Sequence, residues 1–296
     1  MADLEAKRDI ENISLDILRK SKSFDQFPTP VEKIIQYTEL RIDKDVDLSS
    51  IQPGFGYKIS NKISHILSKV RGVFDFSEKV IYVDLSQSSA KQNFVKLHEA
   101  GHGVLPWQTG THDILQDDDH SLSPSANEEF EQEANYFASI TLFQHDRFFD
   151  ELNKLPLGIE ASLHLSKHFG ASIHAALRRY VEVSSKKCAL FVLENIAIEG
   201  NPRSCSIKDF FASPNFDKSF GSLILPPNPN KLPFFTDFYI KRRLKTDGAV
   251  ELETQDGSVQ YNYHFFSNSY NAFVFLFPFG EKQRSRTKII ISETNL

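Results

Sequence analysis

Residues 94–107 read "FVKLHEAGHGVLPW", and within them His98 and His102 stand four apart with Glu99 directly after the first histidine. On a helix, residues four apart lie almost one above the other, so the two imidazoles can face a single ion. Glu99 is turned about 100° from His98, within reach of water beside such an ion without ligating it. Two neutral imidazoles, a third ligand, an open position for water and a carboxylate to take its proton make up a zinc hydrolase site. Composition alone produces the pattern in about one such chain in fifty, so a core helix with hydrogen-bonded histidines is the plain alternative. Phe94, Leu97, His98, Gly101, His102 and Leu105 share one stripe, which turns both imidazoles inward. Two unpaired buried rings would be costly there without a common partner. Ser89 with Gln92 has the form of a capping box that starts this helix, and Pro106 ends it.

The third ligand is sought on the next helix, "NEEFEQEANYFASITLF", from about Asn127. Its apolar stripe runs through Phe130, Ala134, Phe137 and Thr141, with Glu133 inside it. Glu128 and Glu131 point elsewhere on this reading, and Glu129 at the stripe's edge is the fallback. A carboxylate on a buried face needs a cation, and no Lys or Arg lies within ten positions of Glu133. An ion held by the first helix would supply that charge.

Working outward, residues 1–27 form a polar helical lead-in, loosely attached, and Pro30 opens a helix running to about Arg41. "IQPGFGY" (51–57) is a loop and "NKISHILSKV" (61–70) a helix. "RGVFDFSEKVIYVDLS" (71–86) gives two short strands around a turn at Ser77–Lys79. The polar, Asp-rich segment from Gln108 to Ser125 is a loop. Two helices joined at "FGAS" occupy 156–184, with Ser172 as N-cap of the second. From Lys186 the character changes to strand-like runs: "CALFVLE", "GSLIL", "AVELE", "QYNYHFF", "NAFVFLF" and "TKIIIS". The boundary is therefore placed near 185, and the fold class is α+β: a helical domain carrying the two-histidine motif, with a small sheet, at 28–184, then a β-rich domain at 185–296.

The chain has 296 residues, 40% hydrophobic and 25% charged, as expected of an ordinary soluble protein of one or two domains. A net charge of -5 gives no global reason to bind nucleic acid or anionic membrane. The longest apolar stretch, "NAFVFLFPF", falls short of the about 20 residues needed to span a bilayer. The N-terminus lacks the pattern of a signal peptide, and the two cysteines, Cys188 and Cys205, show no ligand spacing. A cytoplasmic setting is expected. The unusual residue is Phe, at 26 against one Trp and one Met.

"FVKLHEAGHGVL", followed by "EQEANYFASITLF", resembles the ImmA/IrrE family of metallo-endopeptidases. "GVFDFSEKVIYVDLS" is similar to the family's strand pair before the HExxH helix. "LHLSKHFGASIHAALRRYVE", within 156–184, is similar to the helix-turn-helix-like segment that often follows. The resemblance covers about residues 28–184 and implies a zincin-like fold with Zn²⁺ as cofactor. It implies His98, His102 and Glu133 as ligands, Glu99 as general base and Asn135 as a supporting residue. The implied partner is a protein substrate, commonly a helix-turn-helix transcriptional repressor. The chain departs from many relatives in reading "GVLPWQ" after the motif, which bears on the cleft lining.

On this reading Glu99 shuttles the proton during peptide hydrolysis, and the edge of "KVIYVDL" (79–85) aligns an extended substrate. His112, His120 and Tyr136 are the candidates for stabilising the oxyanion, by proximity in sequence alone. Trp107 is a packing anchor or a cleft wall. A DNA-binding regulator is the first alternative, disfavoured because "SIHAALRRYVEV" offers only Arg178 and Arg179 towards bases. A non-catalytic zinc-containing sensor is the second, since some relatives carry a C-terminal sensory domain resembling a GAF domain. Glu99 speaks against it, because a structural zinc site has no use for that carboxylate.

Overall fold

Two hydrophobic periodicities, one helical and one alternating, sort the chain into two units in a computed structural model that describes residues 4–48, 72–111, 123–198, 201–225, 232–240, 245–268 and 271–282. The expected loop at 51–57, the helix at 61–70 and the strand at 287–292 lie outside these residues. The first unit comprises 1–148 with 166–172, and the second 149–165 with 173–296.

In the first unit α1 (Leu4–Lys20) packs against α5 (Pro124–Leu142). It buries Ile10, Ile17 and Leu18, and its buried Ser14 Oγ lies 2.8 Å from Thr141 Oγ1. The expected loose lead-in is thus a core helix, held by apolar burial that its polar average conceals. The helix after Pro30, α2 (Val31–Tyr37), buries Val31, Ile34 and Ile35. It ends before the expected Arg41. Glu39 takes a left-handed φ of 60°, and Arg41 N–H donates to Lys79 O at 3.0 Å, starting β1 (Arg41–Asp47). Strand pairing here overrides the helix preference of the local sequence.

β1 runs parallel to β3 (Val80–Val83), which pairs antiparallel with β2 (Gly72–Asp75). The turn between β2 and β3 is closed by Asp75, whose Oδ1 accepts from Ser77 N–H, Ser77 Oγ–H and Glu78 N–H. In the order β1-β3-β2 the strand at 80–83 is central, so its edge is not free to receive a substrate, contrary to expectation. Among the described residues β2 is an edge strand instead. Onto this sheet packs α3 (Ser89–Val104), and onto α3 packs α5. Residues 106–111 are helical too (α4), where a loop was expected from 108. The short helix α6 (Asp146–Asn153) follows α5.

In the second unit six antiparallel strands take the order β5-β4-β9-β8-β7-β6. They are β4 (Ala189–Ile198), β5 (Asn201–Ala212), β6 (Leu223–Ile224), β7 (Lys245–Thr254), β8 (Gly257–Ser267) and β9 (Asn271–Pro278). Central β9 is buried on both faces, which explains its unbroken apolar run. Ala272, Val274 and Leu276 join a core with Phe216 of α9 (Pro214–Phe220) and Phe234 and Phe235 of α10 (Pro233–Ile240). On the other face the ring of Phe275 meets Tyr180 edge-on at 5.0 Å, and that of Phe273 lies 5.6 Å from His174. The abundance of Phe thus fills two layers.

The helix pair expected to close the peptidase domain is α7 (Ile159–Phe169) and α8 (Ile173–Val183). α8 buries Ala176, Leu177, Tyr180 and Val181 and packs on β4 and β5. Residues 149–165 and 173–184 therefore group with the sheet, and the expected boundary near 185 falls inside the second unit. Arg178 pairs with Glu182 at 2.7 Å and lies over the Phe211 ring, while the Arg179 side chain is only 17% exposed.

Candidate metal centre

Helix α3 starts one residue away from where its capping box suggests. Ser88 is the N-cap, and Gln92 donates through Nε2 to Gln87 O at 2.8 Å. Along the helix, Gly101 allows the two helices to touch: a Cβ there would lie 3.2 Å from Ala134 Cα and 3.3 Å from Phe137 Cδ1. On the sheet side, a Cβ at Gly72 would meet Val95 Cγ1 at 2.4 Å and Glu99 Oε1 at 2.7 Å. Small residues at these two positions bring α5 and β2 up to the motif from opposite sides.

The result is a convergence of three donors. His98 Nε2 and His102 Nε2 are 3.3 Å apart. Glu131 Oε2 lies 3.2 Å from the first, and Glu131 Oε1 3.5 Å from the second. A tetrahedral Zn²⁺ with ligand bonds near 2.0–2.1 Å has ligand–ligand edges of about 3.3–3.4 Å. The spacing of His98, His102 and Glu131 fits that edge, and the donor types fit the metal. Both imidazole side chains are about 15% exposed, against 50% for Glu131, so the cluster opens to solvent on the α5 side.

The charges agree with this grouping. Hydrogen bonds from His102 and His98 hold the Glu131 carboxyl far below its ordinary range. Burial opposes charging His102, but Glu131 and Glu99 outweigh it and raise its pKa. Burial pushes the Glu99 carboxyl up; His98 and His102 and a backbone hydrogen bond from Phe74 oppose the rise. Glu99 thus sits buried beside the cluster, between it and β2, rather than within it.

Glu133, the ligand expected from the stripe, is elsewhere. It is 4% exposed, and its Oε2 accepts from Trp107 Nε1–H and Gln108 Nε2–H, both at 2.7 Å. Two N–H donors supply what the stripe reading assigned to a cation, and Glu131 at the margin of the buried stripe faces the histidines. Trp107 is accordingly an anchor for Glu133. Glu129, the fallback, is exposed and outside the cluster. Asn135 is exposed one turn beyond Glu131, with no hydrogen bond to the cluster among the described residues. Tyr136 turns to α1, where its hydroxyl donates to Glu11 and its ring lies 5.8 Å below Lys7 Nζ. His112 and His120 lie outside the described residues. Gln108, which sequence reading passed over, touches both Glu133 and His102. Its position six residues after His102, just past the helix end, is the signal that could have found it.

No curated protein matches the chain. Among solved structures, a Mycobacterium tuberculosis transcriptional regulator aligns with a TM-score of 0.53 at 12% identity, covering 90% of this chain and 75% of that one. That likeness is one of fold. Among the described residues, no helix is long and apolar enough to cross a membrane. Residues 61–180, which include both histidines, Glu99, Glu131 and Glu133, match the family model Peptidase_M78, the IrrE N-terminal-like domain. Over that stretch the chain is similar to the IrrE N-terminal-like family of peptidase domains.

Proposed function

We propose that the protein is a zinc-dependent endopeptidase, zincin-like in its first unit, that cleaves a regulatory protein, with a helix-turn-helix repressor as the favoured class of substrate. The observation that carries this reading is a buried carboxylate, Glu99, set beside three donors at tetrahedral spacing. His98, His102 and Glu131 would hold the ion. When bound, it supplies Lewis acidity, acidifying water and polarising a carbonyl.

The remaining work belongs to the chain. Glu99 Oε accepts the proton of the attacking water and returns it to the leaving amine. Its burial favours the protonated form, which suits a carboxylate that must take up a proton in the first half of the reaction. β2, an edge strand beside Glu99, can pair with an extended substrate through its backbone. The proposed setting is cytoplasmic, and the likeness of fold to a transcriptional regulator is in keeping with a regulatory role.

The test is a cleavage assay on a panel of purified helix-turn-helix repressors, with Glu99→Gln beside the wild type. The proposal expects cleavage by the wild type and a loss of roughly 10²–10⁴-fold in the variant, with metal content retained. Equal cleavage by both would remove Glu99 from the reaction.

A further inference from the structure

Behind His102 lies a set of groups that decides which of its ring nitrogens carries the proton. Gln108 is 1% exposed and Glu133 4%. One arm of the Gln108 amide faces Glu133 Oε2 at 2.7 Å and Phe130 O at 3.2 Å. A carboxylate and a backbone carbonyl only accept, so that arm is the NH₂ group. An oxygen there would set three acceptors against one another in a buried place, where an unmet polar group is costly. The other arm is therefore the oxygen, and it lies 2.8 Å from His102 Nδ1. An amide oxygen only accepts, so Nδ1 carries the hydrogen. Nε2 faces His98 Nε2 and Glu131; without an ion a hydrogen on Nε2 is shared with that carboxylate, and it is this hydrogen, not the one Gln108 holds on Nδ1, that an ion would displace.

We infer that Gln108 is a positioning residue which, held in one orientation by the Glu133 carboxylate, locks His102 in the Nδ1–H tautomer and presets Nε2 as a metal donor. This rests on reading His98, His102 and Glu131 as the metal ligands. Glu133 gains a role from it as well. Its oxygen fixes the amide, while its second donor, Trp107 Nε1–H, ties the start of α4 to α5. His98 has no such support, for among the described residues its Nδ1 is buried without a hydrogen-bond partner. The lock acts on one ligand, and the other serves as an internal reference. Groups that orient a ligating imidazole typically change metal affinity by roughly 10- to 100-fold when lost.

Two-bond ¹⁵N–¹H correlation spectra of the metal-free full chain carrying Glu131→Ala, which removes the competing acceptor at Nε2, read the tautomer directly at a pH where imidazoles are neutral. In that background His102 should be protonated on Nδ1, and it should stay so with Glu133→Gln added, whose amide oxygen still accepts from Gln108 and Trp107. Adding Gln108→Leu instead should give mixed tautomers at His102 with His98 unchanged. With Glu131 in place, Gln108→Leu should lower the affinity for Zn²⁺, measured by competition with a chelator, roughly 10- to 100-fold, while Glu133→Gln stays within a few-fold of wild type. A His102 protonated on Nε2 in the Glu131→Ala background overturns the inference, as does a folded Gln108→Leu with unchanged tautomer and affinity. If Gln108→Leu does not fold, the Glu131→Ala spectra with and without Glu133→Gln decide. Failure of Zn²⁺ to bind the wild type, with the Nδ1–H tautomer present in Glu131→Ala, would sink the metal reading and leave the lock standing.

Discussion

His98 Nε2 on α3 and Glu131 Oε2 on α5 lie 3.2 Å apart, so donors from two separate helices meet across one gap. An ion bound there would tie the helices together and bind only the folded chain. Adding Zn²⁺ to metal-free protein should therefore raise Tm, by the equivalent of about 2.7 kcal/mol at a hundredfold excess over Kd. Thermal melts with and without chelator measure this. A Tm indifferent to zinc would mean the helices gain nothing from the ion.

The close contact of α3 with α5 gives a second prediction. Gly101→Ala gains about 1 kcal/mol of helix propensity but places a methyl 3.2 Å from the Ala134 backbone, which cannot rotate away. Overpacking of this kind costs about 1–3 kcal/mol, so it should prevail and the helices should be pushed apart. Lower Tm together with weaker zinc binding is expected. An unchanged or raised Tm would show that the interface yields freely.

Lys96 is buried and donates to Glu32 Oε1 at 3.0 Å, and that bond holds the Glu32 carboxyl below its ordinary value of 4.5. A carboxyl depressed in the fold contributes stability above its ordinary pKa and loses it as pH falls through the folded value. Glu32 is 58% exposed, so the screened contribution is about 1 kcal/mol or less. Glu32→Gln should lower Tm near neutrality, and the difference should close as the medium becomes acidic. A gap that persists at low pH would assign the effect to packing.

Burial pushes the Cys188 thiol up to about 12. Since the thiolate is the reactive form, iodoacetamide should leave Cys188 unmodified in the folded chain at mildly alkaline pH and label it on unfolding. Rapid labelling of the native protein, read by mass spectrometry, would contradict its burial at the start of β4.

The two histidines and Glu99 are legible in the sequence because a helix converts a spacing of four into a shared face. The next helix is legible too, but not which of its carboxylates faces the motif. The apolar stripe points to its own centre, where Glu133 sits. Glu131, at the margin of that stripe, is the carboxylate set against His98 and His102. Hidden from the sequence are the two N–H donors of Trp107 and Gln108, since their approach to Glu133 depends on how α4 folds back. β1 is hidden for a similar reason, because its pairing partner β3 lies nearly forty positions away and outweighs local propensity. Conversely, the strands around residues 189–194 and 271–277 are plain, since burial on both faces leaves an unbroken apolar run.

The most direct test of the central claim is the metal content of purified protein, with His98→Ala, Glu131→Gln and Glu133→Gln beside the wild type. The account predicts stoichiometric zinc in the wild type and in Glu133→Gln, and its loss in His98→Ala and Glu131→Gln. Wild-type protein that neither carries zinc nor takes it up would contradict the metal centre, and zinc lost with Glu133 but kept without Glu131 would contradict the ligand set.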